Sequence, residues 1–491
     1  MRFYILLLCP ILLLIIDPQD SSKDNSPSNN FKQKGHELLN NFKQKNKVQG
    51  LAFAIFNKNE TLFSDYLGKS TYGFKIDDKT LFAIQSISKN ITALAIMTAV
   101  QDGLLNLDIP ITDYMPSFTI NSCFEDHPEQ KTTLRMLLSH RAGLTHEAPV
   151  GNSYDITPCD TKDHINSISN TWLKYPVGTN YSYSNLGFDL ASAILAQKSG
   201  TSFNEYLKLR IFQPLSMSGS TTDDNIVVLN KNRTEGNIPG VKKKHYSIPL
   251  QGSGAVYTNL NDLIKYTQLL MNYGKTTNST IIGKRYLFEM CKININNYGL
   301  GTYINKSNDI WYVNHNGGGL GYSATLLWFP EYDLGAVILS NKPGKTYDIT
   351  SSIMNEYIKT KGLSKNSDIT AVFDSINGYY IKNKIDIDKE KVLNCNCDSL
   401  YKPEWQKYIG KYTVIVSGME LKWYLKIARF FGFAYQRINI IKEGTVLQVN
   451  GFSGKSTLKE FKPGLFFTRD NEALDFRTNS PTFRNIRIQR K

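Results

Sequence analysis

Leu81-Phe82-Ala83-Ile84-Gln85-Ser86-Ile87-Ser88-Lys89-Asn90-Ile91-Thr92-Ala93-Leu94-Ala95-Ile96-Met97-Thr98-Ala99-Val100-Gln101-Asp102-Gly103-Leu104 is the stretch on which the reading of this chain turns. Leu81 to Ile84 is a short apolar run, the length of a strand. From Ile87 to Leu104 the spacing is helical: Ile87, Ile91, Leu94, Ala95 and Ala99 share one face, and Asp102-Gly103 supplies the stop. Ser86 stands where strand passes into helix, and Lys89, three residues on, shares its face. A serine hydroxyl is a poor nucleophile without a base. A lysine can be that base if burial or neighbouring charge lowers its pKa. A helix N-terminus at Ser86 also favours a developing oxyanion. The same Ser-x-x-Lys spacing occurs at Ser399–Lys402 and Ser456–Lys459. Neither copy opens an apolar helix, so context selects Ser86-Ile87-Ser88-Lys89.

Two further motifs fit the same chemistry. Tyr183-Ser184-Asn185 lies in a Tyr/Ser-rich loop just before a helical segment, Leu190 to Lys198. A phenol can relay a proton, and an amide can hold both Lys89 and a substrate carbonyl. The Tyr-x-Asn pattern is weak by itself, since Tyr303-Ile304-Asn305 and Tyr312-Val313-Asn314 match it too. The third motif, His315-Asn316-Gly317-Gly318-Gly319, follows a strand-like Ile310 to Val313. Its glycines let a substrate backbone approach the strand, and they leave a backbone N–H free for an oxyanion, a donor worth roughly 3–4 kcal/mol.

In order and spacing these motifs make the chain resemble class C β-lactamases, D-alanyl-D-alanine carboxypeptidases and related esterases. Supporting stretches also match: Thr133 to His140 with Ala142-Gly143-Leu144, then Pro176-Val177-Gly178, Gln213 to Met217, and Gly252-Ser253-Gly254-Ala255. The resemblance covers residues 38–360. It implies that Ser86 forms an acyl-enzyme, that Lys89 and Tyr183 share proton transfer, and that Asn185 orients Lys89 and substrate. It implies an oxyanion hole from the N–H groups of Ser86 and Gly318, with Asn316 and Gly317 beside it as substrate-binding positions. His315 stands where class C β-lactamases carry a lysine. A neutral histidine gives less attraction for a substrate carboxylate, so a peptidase, amidase or esterase is expected ahead of an efficient β-lactamase. The alternative is a non-catalytic relative that binds peptides or serves as a scaffold.

Working outward, the chain divides into a polar lead-in (23–34), a hydrolase-like domain (35–362), a polar linker (363–404) and a small all-β domain (405–491) with short strands between turns. Leu51 to Phe56, Thr325 to Phe329 and Gly335 to Leu339 read as strands, and Asp262 to Met271 as a helix. Strands at both ends with helices between predict an α+β fold: an antiparallel sheet flanked by helices, with an inserted helical lobe.

Met1-Arg2 and the apolar run Phe3–Ile16, followed by polar residues, have the layout of an export signal or a signal anchor over residues 1–22. An extracytoplasmic protein, secreted or held at a membrane or cell envelope, is therefore expected. The formal charge of +14 comes from scattered lysines, and no aromatic-interleaved basic motif occurs, so no nucleic-acid partner is expected. Six cysteines are too few for a disulfide scaffold, though Cys123 and Cys159 are candidates to pair. With no CxxC, no HExxH and dispersed histidines, no metal or other cofactor is expected. His140 and His146 read as structural.

Overall fold

The computed structural model describes residues 27–247, 249–388, 397–422, 437–451 and 454–491. The expected export segment lies outside them. Among the described residues no helix is long and apolar enough to cross a membrane.

Strands β1 (Gly50–Phe56) and β2 (Thr61–Gly68) open the domain, and β3 (Phe82–Ala83) and β4 (Tyr257–Thr258) form a separate small ribbon. Strands β5 (Tyr303–Ser307), β6 (Ile310–Gly319), β7 (Tyr322–Phe329) and β8 (Leu334–Ser340) complete a six-stranded sheet of order β2-β1-β8-β7-β6-β5. Every neighbouring pair in it is antiparallel. The central strands are buried on both faces, which is why they read as unbroken apolar runs. Alternation splits them. Leu51, Phe53 and Ile55 face helices α1 (Pro27–Lys45) and, near the end of the domain, Thr346–Lys361. Ala52, Ala54 and Phe56 face the other way, into the core shared with the helical lobe. That lobe fills the interval between β2 and β5. It includes α2 (Ser88–Gln101), α3 (Asn185–Ser199) and α4 (Leu260–Met271).

Helix α2 is not amphipathic as expected. Ser88, Lys89, Asn90, Thr92 and Thr98 are all buried, and their polar atoms are satisfied internally. α1 begins at Pro27, inside the expected lead-in, because Phe31 and Leu39 bury against the sheet.

The expected linker also differs. It follows α5 (Thr346–Lys361) and contains α6, a 22-residue helix, Ser367–Asp388. Phe373 and Tyr380 on α6 enter the main core. Asp374 accepts from Trp311 Nε1 at 2.9 Å, and Asn377 Oδ1 accepts from the Ile293 amide at 2.8 Å. Ile369, Phe373, Ile376 and Tyr380 mark the docked face, and the surrounding Asn, Asp and Lys mask it. The expected Cys123–Cys159 bridge is absent: Cys159 is a free thiol, and Cys123 is disulfide-bonded to another partner.

Beyond α6, strands β9 (Gly410–Val414), β10 (Arg437–Glu443), β11 (Val446–Gly451), β12 (Gly454–Lys462), β13 (Leu465–Phe467), β14 (Ala473–Asp475), β15 (Thr482–Phe483) and β16 (Ile486–Arg490) close into an eight-stranded barrel around Trp405, Ile438, Ile440, Leu447 and Phe466. It docks on the loop between Thr145 and Thr157. Ser417 exchanges backbone bonds with Tyr154 and Ile156, Arg487 pairs with Asp155, and Asn485 Nδ2 donates to the Glu147 carbonyl at 2.8 Å.

Because α6 contributes to the main core, Phe373→Ala is expected to cost about 3–5 kcal/mol, read from urea unfolding of the full chain. A loss below about 1 kcal/mol would mean that the helix packs no better than a tether.

Candidate active site

The nucleophile candidate sits on a strained turn. Gln85 holds φ 51°, in the left-handed region that disfavours side chains. Gln85–Ile87 form a single 3₁₀ turn, and α2 begins at Ser88. Strand β6 packs directly on this turn: a Cβ at Gly317 would lie 2.0 Å from the Ile84 carbonyl oxygen. Gly317 therefore has a steric reason to be glycine, whereas a Cβ at Gly318 would meet nothing within 4 Å.

Lys89 is fully buried beneath Ser86. Its Nζ lies 3.2 Å from Ser86 Oγ, 2.7 Å from Asn185 Oδ1 and 3.0 Å from the Ser253 carbonyl. Burial pulls the amine down to about 7, against the opposing pull of Asp189 and Glu147. The geometry leaves a neutral amine placed to accept a proton from Ser86. Asn185 Oδ1 and the Ser253 carbonyl can only accept, so a neutral amine spends its two N–H bonds there and turns its lone pair to the Ser86 hydroxyl.

Tyr183 precedes α3, whose first residue is Asn185. Its phenol hydrogen-bonds Ser86, and its ring lies under Lys89 Nζ at 4.9 Å. Burial raises the phenol, the Ser86 bond partly opposes this, and Glu147 adds to it. Tyr183 is thus a neutral donor in the resting site.

His315 stands apart. It is buried on β6, on the face that carries Gly317 and the Ser86 turn, but it does not line the cavity. Nδ1 faces the Asn316 carbonyl at 2.8 Å and so carries the proton; Nε2 accepts from Tyr298 at 3.0 Å. Burial first, then Lys89, pushes the imidazole down to about 3, with the Asn316 bond opposing. It is a neutral ring with both nitrogens engaged. Asn316 points to the opposite face, where it accepts from Thr325.

The cavity over Ser86 measures about 280 Å³, and Tyr183, Asn185, Gly318, Ser253 and His146 also line it. Four of the expected residues, Ser86, Tyr183, Asn185 and Gly318, meet there; Lys89 lies just beneath, and His315 one layer behind. Asn316 and Gly317 line an adjoining groove with Gly318.

Sequence reasoning missed several supporting groups. Asp189, one turn into α3, accepts from the amides of Gly252 and Ser253 at 3.1 and 2.9 Å and from the Ser253 hydroxyl at 3.0 Å. That cradle presents the Ser253 carbonyl to Lys89. His140 accepts from the Ser184 amide and packs 4.4 Å from the Tyr183 ring. The Gly252-Ser253-Gly254 run was the available signal for the first; nothing local marks Asp189.

The Beta-lactamase family model matches residues 37–352. The chain belongs to the β-lactamase family. Among relatives of this β-lactamase family member, Beta-lactamase-like protein 4 of Dictyostelium discoideum is 27% identical over 322 residues, 59% of this chain and 56% of that protein. The chain thus spans little more than half the length of that relative. Protein flp of Staphylococcus aureus (strain MRSA252) is 24% identical over 67% of this chain and 70% of its own. The octameric penicillin-binding protein homologue from Pyrococcus abyssi superposes with a TM-score of 0.57 at 20% identity, covering 93% of this chain and 99% of that one. A class C β-lactamase gives 0.56 at 18%, covering 68% and 98%. These two structures share the fold of this β-lactamase family member.

Gly317→Ala is expected to destabilise the protein by about 1–3 kcal/mol through overpacking, while Gly318→Ala leaves stability within about 0.5 kcal/mol. Chemical denaturation of both variants checks this. Equal stabilities would remove the steric account of the strand–turn contact.

Proposed function

We propose that the chain is a serine hydrolase that cleaves an amide or ester through an acyl-enzyme on Ser86, as a peptidase, amidase or esterase rather than an efficient β-lactamase. The observation that carries this reading is the fully buried Lys89 amine, 3.2 Å from Ser86 Oγ and lowered to about 7. Ser86 Oγ attacks the carbonyl and passes its proton to Lys89. The N–H groups of Ser86 and Gly318 hold the oxyanion. The neutral Tyr183 phenol protonates the leaving group and is refilled from Lys89. Water then releases the acyl group.

Neutral His315 supports the ranking of substrates, because it offers no fixed positive charge to a substrate carboxylate. The substrate is a small peptide, amide or ester, and the protein works outside the cytoplasm, secreted or held at a membrane or envelope by its N-terminal apolar segment. The Cys123 disulfide supports an oxidising compartment.

A fluorophosphonate or penicillin probe is expected to label Ser86, located by peptide mass spectrometry, and Ser86→Ala to abolish the adduct. Lys89→Ala is expected to slow labelling about 10²–10⁴-fold. A folded parent protein that takes no adduct on Ser86 overturns the reading. Among D-Ala-D-Ala peptides, p-nitrophenyl esters and nitrocefin, fastest turnover of nitrocefin would reverse the substrate ranking.

The pH dependence has a fixed sign. Lys89 must be unprotonated to accept the Ser86 proton, so acylation falls below its pKa and rises above it, half-maximal near the value of about 7. Stopped-flow labelling between pH 5 and 9 reads this directly, and a flat profile contradicts Lys89 as base.

A further inference from the structure

His146 is an open imidazole on the wall of the Ser86 cavity, and the acylation steps above do not use it. Its ring stacks on Tyr183, with centroids 5.6 Å apart and planes 24° apart. Its Nδ1 lies 2.9 Å from Glu147 Oε1, a carboxylate that is buried and further bonded by the hydroxyl and amide of Ser153. Three consequences follow from elementary chemistry. The carboxylate accepts, so Nδ1 carries the proton. In the neutral ring, Nε2 is then the nitrogen that holds a lone pair. The side chain is 38% exposed and lines the cavity, so solvent reaches the ring. The pair is also held from behind: Asn485 of the barrel donates to the Glu147 carbonyl, and Ser184 Oγ donates to the Thr145 carbonyl at 2.6 Å.

His315 cannot supply such a group, because both its nitrogens are engaged. Lys89, having taken the Ser86 proton, returns it through Tyr183 to the leaving group. Water enters the cavity after that group has left, and His146 is on the wall of that cavity.

We propose that His146, oriented by Glu147, is the general base of deacylation. Nε2 takes a proton from water as the water oxygen bonds to the acyl carbonyl carbon. The tetrahedral adduct then breaks its bond to Ser86 Oγ, which takes up the proton held by the His146 imidazolium. The acid product leaves, and proton count and bonds return to the starting state. This assignment rests on the acyl-enzyme reading above.

The test separates the two half-reactions on the full chain, using a p-nitrophenyl ester. His146→Gln and His146→Phe are expected to keep the p-nitrophenol burst at full amplitude while steady-state turnover falls about 10²-fold or more. Acylated Ser86 then accumulates and is seen by intact mass. Hydroxylamine, which attacks without a base, is expected to restore release as the hydroxamate. Phe preserves the stack on Tyr183 but has no nitrogen, so parent-like turnover in His146→Phe overturns the proposal. Loss of the burst in both variants, with normal unfolding curves, also overturns it by placing His146 in acylation. A parent chain with no burst and no Ser86 adduct instead removes the acyl-enzyme reading itself.

Discussion

Everything at this site depends on keeping one amine out of water. Lys89 would titrate far above neutrality if solvated; enclosed by the lobe, it loses its charge near pH 7 and can accept a proton. That enclosure organises the neighbourhood. It requires α2 to be buried on almost every side, and it requires acceptors for the remaining N–H bonds. Asn185 and the Ser253 carbonyl provide them, and Asp189 fixes the latter by gripping two successive amides. The same dry surroundings keep Tyr183 protonated and His315 neutral, so a single condition sets the resting state of three groups.

Much of this was legible in the sequence, and the residues explain where legibility ended. Ser86 and Lys89 are three residues apart at a strand-to-helix junction, so local pattern located them. The strands Leu51–Phe56, Thr325–Phe329 and Gly335–Leu339 were equally plain, since buried central strands leave unbroken apolar runs. His315 was identified as a site residue, but not that Tyr298 and its own backbone neighbour would occupy its ring. Such engagement is set by tertiary packing, which periodicity does not encode. Asp189 was invisible for the same reason: a lone acid in an apolar helix gives no hint that it faces two amides sixty residues away.

The segment after residue 362 teaches a different lesson. Its composition is polar enough to pass for a tether, yet α6 buries Phe373 and Tyr380 in the main core. Four apolar positions at helical spacing were present, diluted by Asn, Asp and Lys. Composition averaged over a long window hid a pattern that position by position was intact. The lead-in failed likewise, since Phe31 within it and Leu39 just beyond anchor one helix, Pro27–Lys45, that starts where the bulk of the residues suggested none.

The C-terminal barrel closes through the pairing of β16 with β9 and of β9 with β10. A sheet rolled into a ring offers no unpaired rim of amides and carbonyls. Among the described residues this module therefore presents no open edge strand with which to recruit an extended strand from another molecule or to template the lateral growth that threatens open sheets. Its described strands thus meet a neighbour chiefly through side chains, which leaves the outer face of the barrel free to vary without exposing a strand edge.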